Sequence, residues 1–126
     1  MLIKRSQINE IIKLINKLKE KKFNISTQYK LIKIEKSILD EQEIFQEQIQ
    51  VNCSEFFERD ENGNPLINDD GGYKIKKDKI NECCALMNKM TSLQIQIPDI
   101  YFSLDELTEL NLTLGELIPL EPFIKN

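Results

Sequence analysis

The chain of 126 residues contains no histidine and no tryptophan. Histidine is the commonest general base, a common zinc ligand and the usual partner of a nucleophilic serine or cysteine. Without histidine, the chain lacks the usual general base, the usual partner ligand of a zinc site and the histidine that activates a nucleophilic serine or cysteine. The glycines are only four in number, and they form no phosphate-cradling loop. We therefore expect a protein that is not an enzyme, with no catalytic residues, no metal and no cofactor.

Long apolar runs are also missing. Apolar residues make up 40% of the chain and charged residues 30%, and the two are interspersed. No stretch is long and apolar enough for a transmembrane helix or the core of a signal peptide. The start, Met1-Leu2-Ile3-Lys4-Arg5, is too short for an export signal. We expect a single cytoplasmic domain over residues 1–126 that has no membrane partner.

Cysteine and the small aliphatic residues are scarce. The three cysteines, Cys53, Cys83 and Cys84, are odd in number and two are adjacent, which suits neither a disulfide framework nor a zinc site. We expect reduced thiols. Isoleucine occurs 19 times, whereas alanine and valine occur once each, and lysine outnumbers arginine 15 to 2. This bias is typical of AT-rich coding and indicates a low-GC bacterium, its phage or a mobile element.

Charge is unevenly distributed along the chain. Residues 1–36 carry a net +7 and residues 37–73 a net −9, within a total of −4. Such a dipolar pattern favours oriented association. Basic helices could bind a nucleotide or nucleic acid, but the pI near 5.0 and the scarcity of arginine disfavour nucleic acid as a partner.

Apolar spacing predicts a helical hairpin over residues 1–58. The first helix covers 6–22, with Ser6 as its N-cap and one apolar face (Ile8, Ile11, Ile12, Ile15 and Leu18). The second helix covers 28–58, with Ser26 or Thr27 as its N-cap. Its apolar face comprises Leu31, Ile34, Ile38, Phe45, Ile49, Cys53 and Phe56.

The second helix carries its charges in an order that its macrodipole disfavours. Lys30, Lys33 and Lys36 lie near its N-terminus, and acids such as Glu43 and Glu47 follow. An antiparallel copy would place the basic end against the acidic end, so this order indicates a homodimer through helix 28–58. The alternative is a solvated charged face.

The stretch Arg59–Lys77, RDENGNPLINDDGGYKIKK, is the candidate site. Read as a calcium loop from Asp60, it has Pro65 where glycine is required and Gly71 where a bidentate glutamate is required. Asn-Gly and Asp-Asp-Gly-Gly are turn sequences, so we predict an exposed acidic β-hairpin. The predicted partner-binding residues are Asp60, Glu61, Asp69, Asp70 and Tyr73, together with Lys30, Lys33, Lys36, Glu43 and Glu47.

The C-terminal third predicts smaller elements. A third helix covers 78–91 with Asp78 as its N-cap, and alternation in LQIQI, 93–97, predicts a strand. SLDE at 103–106 and TLGE at 113–116 match the capping box. The apolar tail 114–124 should dock on the core or on a partner. The predicted fold is α+β, with a helical hairpin over 1–58 and a smaller unit over 59–126.

This order of elements, with DENGNP, DDGGYKI and the ending SLDELTELNLTLGELIPLEPFI, resembles a family of small phage-encoded proteins of unknown function from phages of low-GC bacteria. The resemblance implies a non-enzymatic protein that binds a host or phage protein. Some such proteins inhibit host defence systems, in the manner of anti-CRISPR proteins, and others assist virion assembly. We expect a stoichiometric inhibitor of a defence system; the alternatives are a scaffold-type oligomer and a nucleotide or nucleic-acid binder.

Overall fold

The computed structural model describes residues 1–125 and shows an α+β fold. The helices and strands in chain order are β1 (Leu2–Lys4), α1 (Ile8–Leu18), α2 (Ile25–Cys53), α3 (Ile80–Thr91), β2 (Gln94–Gln96), α4 (Leu104–Leu110) and α5 (Leu114–Leu117). Single 3-10 turns cover Arg5–Gln7, Ser54–Phe56 and Lys77–Lys79, and a longer 3-10 helix covers Ile118–Phe123. Within this part of the chain, no helix is both long and apolar enough to cross a membrane.

The chain divides into two compact units, and the boundary lies within α2. Unit 1 combines residues 1–42 with residues from 93 onward, and unit 2 is Glu43–Ser92. The sequence analysis had placed a subdivision at residue 58, where the predicted second helix ends. The N- and C-terminal parts of the chain therefore belong to one unit.

Unit 1 is built around the helical hairpin. One face of α1 and the face of α2 that carries Leu31, Ile34 and Ile38 share a core with residues of the C-terminal third. The buried residues from that third include Ile95, Ile97, Ile100, Phe102, Leu110, Leu120 and Phe123. The prediction that the tail docks on the core holds for Leu120 and Phe123, whereas Leu114 and Ile118 are largely exposed.

Unit 1 also contains a two-stranded antiparallel sheet, which contributes to its core. β1 pairs with β2 so that Leu2 faces Gln96, Ile3 faces Ile95 and Lys4 faces Gln94. Ile3 and Ile95 point into the core from this sheet. The alternation in LQIQI correctly predicted β2. The sequence analysis missed β1, because three residues are too few for a period of two to be recognised.

Unit 2 contains three short extended segments, 57–60, 64–68 and 72–76, and each pairs with both of the others. The Glu58 amide donates to the Lys74 carbonyl, the Lys74 amide to the Leu66 carbonyl and the Leu66 amide to the Glu58 carbonyl, at 2.8, 2.9 and 2.8 Å. The predicted β-hairpin is therefore part of a three-segment arrangement, in which each segment pairs with both of the others.

An eight-residue repeat explains this arrangement. Residues 60–67, DENGNPLI, are followed by 68–75, NDDGGYKI, and both copies have glycine in fourth place. The amide of Gly63 donates to the Asp60 carbonyl, and the amide of Gly71 donates to the Asn68 carbonyl. Both glycines adopt positive φ, 81° and 88°. Each repeat thus contributes one turn and one extended segment. The repeat was not recognised in the sequence, because only isoleucine and glycine are identical between its copies.

Several predicted helix ends were wrong. The predicted first helix extends four residues past the observed end of α1 at Leu18, and α2 ends at Cys53, after which Phe57 is already extended. The Asn24 side chain caps α2 by accepting the Thr27 amide at 2.9 Å, so neither Ser26 nor Thr27 is the cap. Similarly, α3 begins after Lys79, and Asp78 does not cap it. Both capping boxes are confirmed, with Ser103 opening α4 and Thr113 opening α5.

Candidate functional site

Two carboxylates of α4 bind the first turn of α2. Glu109 accepts hydrogen bonds from the backbone and side-chain amides of Asn24 and from the Thr27 hydroxyl. Glu106 accepts a hydrogen bond from the Ser26 hydroxyl at 2.9 Å. The N-terminus of a helix is its positive end, so negative charge there is stabilising. α4 thus anchors the beginning of α2 in unit 1.

Lys30, a predicted partner-binding residue, is bound within the chain. Its ammonium lies 2.6 Å from the buried Glu106 carboxylate and also donates to the Tyr101 carbonyl at 2.8 Å. Burial acts to raise the pKa of Glu106, but hydrogen bonds from Lys30, the Ser103 amide and Ser26 outweigh it and lower the pKa to about 2. The charge of Lys30 near the positive end of α2 is therefore compensated inside unit 1.

The other predicted helix residues lie on the exposed surface of α2. Lys33 and Lys36 are exposed in unit 1, and the Lys33 ammonium lies 5.5 Å from the centre of the Tyr29 ring. Glu43 and Glu47 are exposed in unit 2. The structure thus leaves four of the five charged helix residues available to solvent.

The predicted acidic residues lie at the two turns of the repeat in unit 2. Asp60 and Glu61 belong to the first turn and Asp69 and Asp70 to the second, and all four are exposed. The Asp60 carboxylate accepts the amides of residues 62 and 64, and the Asp70 carboxylate accepts the amide of residue 72. These two acids therefore shape their own turns. Among residues 1–125, no group of three or more Cys, Asp or Glu side chains is arranged to hold a metal ion.

Tyr73 is half-buried beside the three segments. Its ring stacks on Phe57 with centroids 4.3 Å apart, and its hydroxyl accepts a hydrogen bond from Gln50. It also lines a cavity of about 330 Å³ together with Cys83 and Cys84. Burial, and after it the neighbouring Cys53 thiol, raise the pKa of Cys83 to about 11. The Cys83 thiol is thereby kept protonated. Cys53 is buried as well, whereas Cys84 is exposed.

The face of α2 opposite the core of unit 1 carries large apolar side chains that are open to solvent. The α2 stripe consists of Ile25, Tyr29, Ile32 and Leu39, with exposed fractions of 83%, 61%, 54% and 44%. These residues are spaced by four, three and seven, and Lys36 occupies the intervening position of the same face. This alternation of four and three is the spacing by which helices pair.

A pocket lies between the end of α1 and the beginning of α2 in unit 1. The α1–α2 pocket has a cavity volume of about 300 Å³. It is lined by Ile15, Leu18, Lys19, Lys21, Lys22, Phe23, Gln28, Leu31, Ile32 and Glu35. Two interactions hold its walls: Lys19 bonds Glu35 at 2.6 Å, and the Gln28 side-chain amide donates to the Phe23 carbonyl at 2.6 Å. Ile32 belongs to both the pocket and the α2 stripe.

The sequence analysis missed both of these features. It assigned apolar residues of the second helix to a single face, although Ile25, Tyr29, Ile32 and Leu39 follow a second helical spacing that can be read from the sequence. The pocket could not be recognised in this way, because it depends on where α1 ends. The chain matches no protein-family model, and the comparisons with curated proteins and with solved structures likewise find no match.

Proposed function

We propose that this protein acts in the cytoplasm by stoichiometric binding of a protein partner through the α2 stripe. The observation that carries the proposal is the exposure of four large apolar side chains on one helix face whose opposite face is buried. Contiguous exposed apolar surface is typical of protein interfaces. The 4-3 spacing favours a partner helix that packs along α2.

The charges around the stripe favour an acidic partner. Between residues 20 and 40, the exposed charged side chains are four lysines and two acids, namely Lys21, Lys22, Lys33, Lys36, Glu20 and Asp40. An amphipathic helix with acidic residues beside its apolar face would complement them and would be attracted over a distance that salt shortens. Lys36, which interrupts the stripe, would select an acid at the matching position.

A second copy of this chain fits the stripe less well. Each copy would place its own Lys36 within an apolar seam, where an unpaired ammonium is costly. The unfavourable charge of Lys30, one reason to predict self-association, is compensated by Glu106 within unit 1. We therefore favour a different protein as the partner over a homodimer through residues 28–58.

The kind of partner that we propose is taken from the resemblance of the sequence to small phage-encoded proteins. On that basis we propose a host protein of a defence system, which this chain inhibits by covering a surface. The absence of histidine and of a phosphate-cradling loop supports binding rather than catalysis. A phage partner in virion assembly is the alternative that the same resemblance implies.

The test compares a stripe variant with a matched control. Tyr29→Ser/Ile32→Ser removes two exposed apolar side chains from the stripe, and Leu114→Ser/Ile118→Ser removes two exposed apolar side chains elsewhere in unit 1. We expect the wild-type protein and the control to form a complex of fixed stoichiometry with the same protein from a low-GC bacterial lysate. The stripe variant should lose it, with an unchanged thermal midpoint.

Equal capture by the stripe variant would refute the proposed surface. Light scattering should show a monomer at high protein concentration and low salt, whereas a dimer that the stripe variant abolishes would assign the stripe to self-association. The complex should weaken as salt rises, because lysines surround the stripe.

A further inference from the structure

We infer that the α1–α2 pocket binds an amphipathic monocarboxylate, a fatty acid with a tail of about ten carbons being the best fit to a small apolar cavity with a charged rim. The inference does not depend on a protein partner. It is argued from the apolar floor of the pocket, its basic rim and the two interactions between its lining residues.

The floor of the pocket is apolar and belongs to the core of unit 1. Ile15, Leu18 and Leu31 are buried, with exposed fractions of 3%, 1% and 8%, and Phe23 packs against the same core. A methylene tail on this floor would be removed from water, which is favourable in proportion to the apolar area that is covered. The floor thus favours an unbranched hydrocarbon over a polar ligand.

The rim is basic and selects an anion. Lys19 is already paired with Glu35, so its charge is largely satisfied within the wall. Lys21 and Lys22 are exposed at the rim, and they form no salt bridge within residues 1–125. Lysine is a compact cation that attracts a carboxylate without requiring the planar geometry of arginine. These two ammonium groups are the expected contacts of the ligand head group.

A nucleotide fits the same pocket less well, although lysines also attract phosphate. A nucleobase and a ribose need hydrogen-bond partners, and buried polar groups without them are costly. The polar wall residue Gln28 uses its side-chain amide on the Phe23 carbonyl, and Glu35 is held by Lys19. Few groups remain to pair with a base edge. The lining therefore favours a ligand whose polarity is confined to one end.

Calorimetric titration of the whole protein with decanoate, below its micelle concentration, tests the inference. We expect saturable binding of one decanoate per chain. Decyltrimethylammonium, which has an alkyl tail one carbon longer and the opposite charge, should not bind, and acetate, which has the head without the tail, should not bind either. Saturable binding of ATP that is tighter than that of decanoate would overturn the assignment in favour of a nucleotide.

Two double variants, each of which removes two positive charges, locate the binding site. Lys21→Gln/Lys22→Gln should weaken decanoate binding about 2- to 30-fold, the range expected from the loss of two exposed charge interactions. Lys77→Gln/Lys89→Gln, in unit 2, should leave it unchanged. In amide NMR spectra, decanoate should shift residues 21–23 and 31–32 first. No saturable binding, equal binding by both variants, or shifts confined to other residues would contradict the inference.

Discussion

Ionisation of Glu106 stabilises the folded form of unit 1. Its pKa of about 2 lies below the usual 4.5, so its ionised form is stabilised in the folded protein. The stability that this provides is fully present above pH 4.5 and is lost as the pH falls toward 2. The pKa of Glu116 is also lowered, to about 2, by hydrogen bonds from Lys17 and the Thr113 amide. Acid should therefore weaken the attachment of α4 and α5.

Replacing Glu106 by glutamine tests this account. Glutamine can still accept the Ser103 amide but lacks the charge that holds Lys30, so we expect a loss of about 1–3 kcal/mol at pH 7. Urea unfolding measured between pH 7 and pH 2.5 should show a smaller decrease in stability for Glu106→Gln than for the wild type. Glu116, whose pKa is also lowered, should contribute to the remaining decrease.

Asp105→Asn serves as the control, because it removes an exposed acid from the same first turn without touching Lys30. It should keep the wild-type pH dependence. If Glu106→Gln followed the wild-type curve at every pH, the ion pair would not be the source of acid sensitivity.

At the scale of the element, the turns of the eight-residue repeat depend on backbone conformation. Gly63 and Gly71 have positive φ, and a Cβ atom at either position would meet nothing within 4 Å. Alanine would thus be disfavoured only by its backbone, by roughly 1–2 kcal/mol at each position. We expect Gly63→Ala and Gly71→Ala to lower the stability of unit 2 by similar amounts, as measured by urea unfolding.

Gly115 offers a matched comparison within α5. A Cβ atom there also meets nothing within 4 Å, and the backbone is helical. Gly115→Ala should raise stability by about 0.5 kcal/mol, because alanine has the higher helix propensity. A loss at Gly115 equal to that at Gly63 would show that the effect arises from the side chain and not from φ.

Elements were predictable where one local pattern was sufficient. SLDE and TLGE located two helix starts, and LQIQI located β2, because each depends on residues within one or two turns of the chain. Asn24 was missed as the N-cap of α2, because Ser26 and Thr27 are equally good capping residues. Only the observed start of the helix shows which of the three residues caps it. The pairing of the three extended segments of unit 2 depends on contacts between residues sixteen positions apart in the chain. Alternation of apolar and polar residues does not reveal such contacts.

The exposure of the predicted site residues could be read from the sequence in part, but the contacts that each of them makes could not. Exposure of the acidic turn residues followed from their glycine and asparagine neighbours. Lys30 could not be separated from Lys33 and Lys36 by sequence, because the distinction depends on Glu106, which is 76 residues away. The apolar stripe and the pocket were missed for the related reason that burial of one helix face is a tertiary property.

At the scale of the whole molecule, the rate at which the cysteines react with a thiol reagent measures how readily unit 2 opens. Cys84 is exposed, whereas Cys53 and Cys83 are buried in the unit 2 core. We expect a thiol reagent at pH 8 to modify one cysteine per chain rapidly and the other two only as fast as unit 2 opens. The raised pKa of Cys83 further slows its reaction, since the thiolate is the nucleophile.

The number of cysteines that react rapidly should rise to three per chain in denaturant. Cys84→Ser should remove only the rapid phase seen in the native protein. The slow phase should accelerate in Gly63→Ala, which destabilises the same unit. Rapid modification of all three thiols in the native protein would contradict the burial of Cys53 and Cys83.

The pairing of β1 with β2 has a consequence for synthesis of the chain on the ribosome. Ile3 faces Ile95, so β1 emerges 92 residues before its partner. At roughly 5–20 residues per second, that interval lasts about 5–20 s. During it, unit 2 can emerge in full, while the apolar face of α1 still lacks the cover that the C-terminal third provides. Unit 1, part of which is made before unit 2, is therefore completed after it.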